Sequence, residues 1–338
     1  MYRDTNSNMA DKWGIQEIWN HSLEIYSERE AKPRDYLWAS ELAKLETDVY
    51  LALKGEKPTN PPNARSHRKF EAGELWEWLV KILLERAGIL KSSQARVKFQ
   101  YEGLLEVSGK IDFIAGGTVV QNVDLDSLGL PERTLERMKT ILEYLRTNYS
   151  NELELKALEV KSVSSHMMNA LEIGKRPLLT HAMQAYHYTK HEDVNETLLV
   201  YICRDDVRMM EFNIVGGDLY YEDLYRGHIE KMTEIYKAGK MPEKASPVVF
   251  DDLLGKFTLD RRIGWSPYLT KVYGLEDQVE FDDKYKKIPE SWNRVLTRMV
   301  NGQSMTKNNE AKIEEMKEWG FDPEPLVEKI KKDNEQET

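Results

Sequence analysis

With 48 lysines and arginines against 58 aspartates and glutamates, the 338-residue chain has a formal charge of −10, which speaks against indiscriminate binding to polyanions but leaves room for a local basic face. Its composition, 41% hydrophobic, 10% aromatic and 31% charged, excludes a collagen-like, disordered or disulfide-scaffold protein. The single cysteine, Cys203, excludes an intramolecular disulfide, a zinc ribbon and a four-cysteine iron–sulfur site.

The first residues lack the basic start and apolar stretch of a signal peptide, and no window reaches the roughly 20 apolar residues that span a bilayer. A cytoplasmic protein without membrane association is expected. Residues 13–54 are expected to be helical, with Trp13, Ile15, Ile18, Trp19, Leu23 and Ile25 spaced for one buried face. A Pro- and Asn-rich loop over 57–63 breaks that pattern. A strong helix then runs from about Ser66 to Ala87, stopped by Gly88, with Phe70, Leu75, Leu79, Ile82 and Leu83 expected to face the interior.

The period then changes. Residues 97–101 alternate like a strand, 106–114 follow as a second, and together they predict a hairpin. A polar amphipathic helix is expected over 131–149, and strand character returns over 155–163. Residues 178–191 read as a helix, and 196–203 and 207–214 pair as strands across an Arg204-Asp205-Asp206 turn. Cys203 ends an apolar run there and reads as a core thiol. A helix over 219–238 closes this part, followed by short aromatic and charged segments and helices around 289–300, 308–319 and 323–332. The order predicts an α/β fold, a central mixed sheet flanked by helices. The expected organisation is an N-terminal helical cap (1–35), a core (36–245) and a mainly helical accessory region (246–338).

Three ionisable residues sit within apolar strands: Asp112 after Gly109-Lys110-Ile111, and Glu159 and Lys161 around Val160. Side chains two apart on a strand share a face, so Glu159 and Lys161 point the same way. Buried charges cost several kcal/mol unless they are paired or bind a metal. The set is therefore either a structural Glu–Lys pair with Asp112 at a strand end, or an oxygen-ligand site for a hard cation with Lys161 beside the attacking water.

The order of the surrounding elements favours the second reading. Gly73 and Glu77 lie on the preceding helix, Gly109 and Asp112 on the hairpin, Glu159 and Lys161 on the next strand, and Gln184 and Tyr188 at i,i+4 on the next helix. This resembles the PD-(D/E)XK nuclease superfamily, in the branch of the RecB nuclease domain, lambda exonuclease and the CRISPR-associated adaptation exonucleases, over roughly residues 36–215. The resemblance implies a restriction-endonuclease-like core and a Mg²⁺- or Mn²⁺-dependent DNA nuclease. Asp112, Glu159 and the backbone carbonyl of Val160 would be metal ligands, with Lys161 orienting or activating water. Glu77, or Glu74 one turn earlier, would be the helix-borne acid, acting directly, through water or on a second ion. Gln184 and Tyr188 would stand beside the lysine and the DNA backbone.

An exonuclease of recombination or repair, of phage origin and with a recombination or replication protein as partner, is the preferred version. A structure-specific or restriction-type endonuclease, or a non-catalytic DNA-binding module, are the alternatives. The iron–sulfur relatives carry a cysteine near the position of Tyr50 and three more after the core, where residues 263–268 have none. No iron–sulfur cluster is expected, and Trp265 and Tyr268 are candidates for closing the N- and C-terminal regions by packing instead.

Arg65, Arg68 and Lys69 before the Glu77 helix, and Lys175 and Arg176 before the Gln184 helix, are candidate DNA contacts or simply solvated. Aromatics at 76–78 and 186–188 either stack on bases or belong to the core. His181 and His187 are six apart on a helix, which is not the spacing of a shared zinc face, and no phosphate-binding G-x-x-x-x-G-K-[ST] loop is present.

Overall fold

The computed structural model describes residues 31–118, 129, 131–149, 152–251, 256–285, 288–319 and 321–336. Most of the expected N-terminal cap lies outside these residues. Within 31–54 the expected continuous helix is replaced by a short strand β1 (Tyr36–Trp38), a 3-10 turn (Ala39–Glu41) and helix α1 (Glu46–Leu53). Tyr36, Leu37 and Trp38 pair in parallel with Glu106, Val107 and Ser108. A three-residue strand next to helix-forming residues has no periodicity of its own, so only the tertiary pairing defines it.

The core is one mixed sheet flanked by helices, as expected. Its strands are β1, β2 (Leu90–Phe99), β3 (Glu106–Thr118), β4 (Glu152–Val163), β5 (Glu196–Cys203) and β6 (Met209–Val215). They lie in the order β1-β3-β4-β5-β6, with β2 also paired to β3. The β2–β3 and β5–β6 hairpins form antiparallel as their alternation predicts, although β2 begins at Leu90, seven residues before the expected 97–101 strand, and ends at Phe99; β4 pairs β5 in parallel. Because β2 takes one edge of β3 along most of its length, β1 and β4 share the other. β1 ends at Ser108 and β4 begins at Phe113, so residues 109–112 face a gap between them.

Helix α2 (Ala64–Arg86), capped by Asn63, covers one face of the sheet. Its Trp76, Val80 and Leu84 pack on Phe113, Leu158, Val160, Val200 and Ile202. Those three positions are four apart, a narrow stripe. Phe70, Leu75, Leu79 and Leu83, expected inside, are exposed together with Trp78, Leu75 at 62%. The helix is apolar on more than one side, and spacing alone does not choose which side meets the sheet.

The other face is covered by α5 (Leu179–Tyr188) and α6 (Leu219–Ala238), whose Met183, Tyr186, Tyr225 and Ile229 pack with Ile111, Leu199, Tyr201 and the buried thiol of Cys203. In chain order α3 (Glu132–Asn148) precedes β4, and α4 (Ser165–Gly174), which the sequence reading missed, follows it behind an N-cap at Ser164 and packs Met168 and Leu171 into the same cluster as α5 and α6. Beyond the sheet, hairpin β7–β8 (Val248–Asp251, Lys256–Leu259) and helices α7 to α12 (Arg261–Gly264, Leu269–Tyr273, Gln278–Tyr285, Ile288–Val300, Lys307–Glu318 and Pro323–Gln336) build a second apolar cluster around Trp292, Phe281 and Phe321. Leu45 joins this second cluster from the core side. No helix among the described residues is long and apolar enough to cross a membrane.

Candidate active site

The sheet itself creates the site. The β3–β4 ladder runs through Phe113 opposite Leu158 and then stops. Asp112 and Glu159, the next residues on each strand, face one another where the strands part. The Val160 N–H donates to Asp112 Oδ2 at 2.9 Å. The parity of β4 sends Leu158 and Val160 into the α2 layer and Ala157 and Val163 into the α5 layer. Glu159 and Lys161 therefore turn toward α5, as alternation requires.

Glu159 is 2% exposed and Asp112 9%. Glu159 Oε1 pairs with the Lys161 ammonium, while Glu159 Oε2 is buried with no hydrogen-bond partner. Burial first, then the charges of Glu159 and Glu77, push the Asp112 carboxyl up to about 9, against the opposing Val160 N–H and Lys161. Burial acts to lower the pKa of Lys161, but Glu159, by charge and hydrogen bond, and then Asp112 and Glu77 raise it on balance. In this state Lys161 is a fixed cation.

Glu77 reaches the cluster from α2. Its pKa is raised by burial and next by Glu159, with Lys161 opposing and Glu74 adding repulsion. Glu74 is exposed, which makes Glu77 the helix acid that senses the site. Three carboxylates thus share one lysine. Two ionised carboxylates without a counter-charge repel, and removing them from water raises that cost. Among the described residues no three His, Cys, Asp or Glu side chains converge tightly enough to enclose an ion alone. Asp112 and Glu159 are the fixed donors, and Glu77 stands in electrostatic range.

Helix α5 closes the other side. Gln184 Nε2 donates to the Tyr188 hydroxyl at 2.7 Å, the i,i+4 contact that their spacing predicts. Burial, then the Glu159 charge, holds the Tyr188 phenol well above its ordinary pKa. Gly109 explains this approach: a Cβ there would lie 2.9 Å from both His187 Cδ2 and Tyr188 Cε1. The glycine lets α5 rest directly on β3 at the gap. Gly73 has no such reason, since a Cβ there would meet nothing within 4 Å.

Two histidines are explained by packing. His187 is fully buried, with Nδ1 2.8 Å from the Tyr225 hydroxyl, and burial lowers its pKa to about 4. His181 Nδ1 lies 3.0 Å from the Tyr201 hydroxyl. Its pKa falls to about 3 through burial, then Lys161, then Lys44. Tyr186 and Tyr188 are core, Trp76 is half-buried and Trp78 is exposed. The basic residues are not assembled with the carboxylates. Arg65, Arg68 and Lys69 occupy the first turns of α2, with Lys69 eight residues before Glu77, about 12 Å along the axis. Lys175 is the left-handed cap of α4, and Arg176 follows it in the loop to α5. Sequence reasoning missed Lys44, whose charge reaches the site from the segment before α1. It carries no local motif.

No family model matches the chain, and no curated protein matches it. Among solved structures it is similar to SSO0001 (15% identity, TM-score 0.37, covering 68% of this chain and 88% of that one). It is also similar to an alkaline exonuclease from Laribacter hongkongensis (10% identity, TM-score 0.34, 66% and 93%). The same exonuclease in complex with dAMP gives 11% identity, TM-score 0.37 and coverage of 64% and 93%.

Proposed function

We propose that the chain is a metal-dependent DNA nuclease of the PD-(D/E)XK type. The observation that carries the reading is the pair at the parted strands: Asp112 and Glu159 beside Lys161, with Glu159 Oε2 buried and unpartnered, Asp112 pushed away from ionising by burial and by Glu159, and Glu77 in electrostatic range. Such a donor set fits a hard divalent cation. A purely structural Glu–Lys pair accounts for Glu159 and Lys161 but leaves Asp112 and Glu77 as added repulsion without purpose.

Asp112, Glu159 and the Val160 carbonyl would hold Mg²⁺ or Mn²⁺, with Glu77 acting directly or through water. When bound, the ion supplies the Lewis acidity that yields hydroxide near neutral pH and neutralises charge on the departing oxygen. Lys161, already protonated, would orient the attacking water and face the phosphate rather than remove a proton. Tyr188, fixed by Gln184, would bound the cleft on the α5 side. Arg65, Arg68, Lys69, Lys175 and Arg176 remain candidates for flanking phosphates. Exonucleolytic action in recombination or repair is the preferred version.

Metal titration followed by thermal unfolding tests this reading. Mg²⁺ or Mn²⁺ at millimolar concentration should stabilise the wild type and leave Asp112→Ala unmoved; equal response of the two proteins would contradict the site. Closed circular DNA that survives while linear DNA is degraded would establish the exonucleolytic mode, and cutting of the circle would replace it with an endonuclease.

A further inference from the structure

The strands at the rim of the sheet treat their free edges differently. β2 presents an irregular, charged edge: its pairing with β3 shifts between Leu90 and Ser92, Gln94 takes a left-handed φ of 56°, and Lys91, Arg96 and Lys98 are exposed. These features keep a further strand away. β1 is three residues long. β6, at the other end of the sheet, has no such protection. Its seven residues, Met209–Val215, run in unbroken register against β5 and include no proline, lysine or arginine.

Two bonds flanking this ladder fix the direction of its backbone groups. The Cys203 N–H donates to the Arg208 carbonyl and the Gly216 N–H to the Asn195 carbonyl, both at 2.8 Å. Even-numbered residues of β6 therefore bond to β5, and the N–H and C=O groups of Met209, Glu211, Asn213 and Val215 point outward. Among the described residues β6 pairs with no strand but β5, and of these outward groups the Val215 carbonyl accepts from the Asp218 N–H at 3.4 Å. The four side chains stand opposite Ile202, Val200, Leu198 and Glu196, on the face that α2 covers. Val200 and Ile202 are buried there, whereas Met209, Glu211, Asn213 and Val215 are exposed, so the cover stops at β5. Val207, Leu219 and Tyr220, exposed just before and after the strand, extend the apolar rim.

We propose that β6 is the docking edge for a second copy of this chain, the two strands pairing antiparallel about a two-fold axis so that the two sheets become one. The strand is complementary to itself in a single register. Outward groups bond only to outward groups, so odd-numbered residues must face odd-numbered ones. With the axis at Phe212, Met209 faces the partner's Val215 and Glu211 faces the partner's Asn213: apolar against apolar, carboxylate against amide, with all seven residues paired. Moving the axis to Glu211 sets two like charges opposite each other, which cross-strand pairing disfavours. Moving it to Asn213 sets Glu211 against the partner's Val215. The isologous pair consumes both β6 edges, and the protected β2 edges stop growth at two copies. This inference is independent of the nuclease reading.

Sedimentation equilibrium of the full chain, from nanomolar to high micromolar concentration, tests it on wild type, Glu211→Pro, Asn213→Asp and Asn213→Asp combined with Glu211→Lys, each checked for folding by circular dichroism. The wild type should pass from monomer to dimer. Glu211→Pro removes an outward N–H without costing a bond to β5 and should remain monomeric. Asn213→Asp places like charges opposite each other twice in the dimer and should weaken association by about tenfold; adding Glu211→Lys should restore it, because opposite charges then meet. A wild type that stays monomeric throughout, a folded Glu211→Pro that still dimerises, or an Asn213→Asp that associates as the wild type does would overturn the proposal. Should Glu211→Pro fail to fold, the two charge variants decide it.

Discussion

Asp112→Asn couples the energetics of the fold to the proposed chemistry. Asparagine keeps an oxygen for the Val160 N–H and removes the proton equilibrium. In the wild type the carboxyl is pushed up to about 9, by burial first and then by Glu159 and Glu77, against about 3.9 in an unfolded chain. Between those values the metal-free folded protein keeps a proton that the unfolded chain has released. The stabilising contribution is therefore complete below the unfolded value and is lost as pH rises toward the folded one, by about 1.4 kcal/mol per unit. From pH 6 to 8 the wild type should lose about 3 kcal/mol relative to Asp112→Asn, a gap in Tm that widens by roughly 5 °C for a chain of this size. Thermal unfolding followed by circular dichroism in EDTA at pH 6, 7 and 8 reads this directly. Added Mn²⁺ should then stabilise the wild type by mass action, most at pH 8, and leave the variant unmoved. Parallel pH profiles of the two proteins would refute the reasoning, because Asp112 would then ionise as an ordinary carboxyl does.

Glu77→Gln should lower cleavage by about 10- to 100-fold, the usual cost of removing a supporting ligand, whereas Glu74→Gln should lie near wild type; steady-state rates of the pair separate the two acids. Gly109→Ala places a Cβ against His187 and Tyr188, an overpacking worth about 1–3 kcal/mol, and should lower both the denaturation midpoint and activity. Gly73→Ala, in a helix interior with open space around it, should stabilise by about 0.5–1 kcal/mol in denaturant titration. A loss would show that α2 is strained there.

The parts of the fold legible in the sequence are those whose local pattern and tertiary fate agree. Helix α6 runs over the expected 219–238, between the Asp218 side chain, which accepts from the Tyr220 and Tyr221 N–H groups, and Gly239 at a φ of 65°. The β2–β3 and β5–β6 hairpins follow from alternation. The shared face of Glu159 and Lys161 and the Gln184–Tyr188 contact follow from strand and helix periods. What could not be read depends on partners distant in sequence. β1 exists because β3 offers an edge, and hairpin β7–β8 lies in a stretch without clear alternation. The outward turn of Leu75, Leu79 and Leu83 depends on which of several apolar faces of α2 meets the sheet.

Tyr268 is buried and bonded to Glu56, the closing role expected of it, but Trp265 is 70% exposed. The left-handed backbone at Ala43 and its tie to Arg262 carry no motif at all.

The proposed function requires Asp112, Glu159 and Lys161 for hydrolysis of DNA. It is tested most directly by incubating linear, end-labelled single- and double-stranded DNA with Mg²⁺ or Mn²⁺ and wild type or Lys161→Ala, both confirmed to be folded. Degradation by the wild type that disappears in Lys161→Ala is the predicted result; equal degradation by both, or none by folded wild type with either metal, would contradict it.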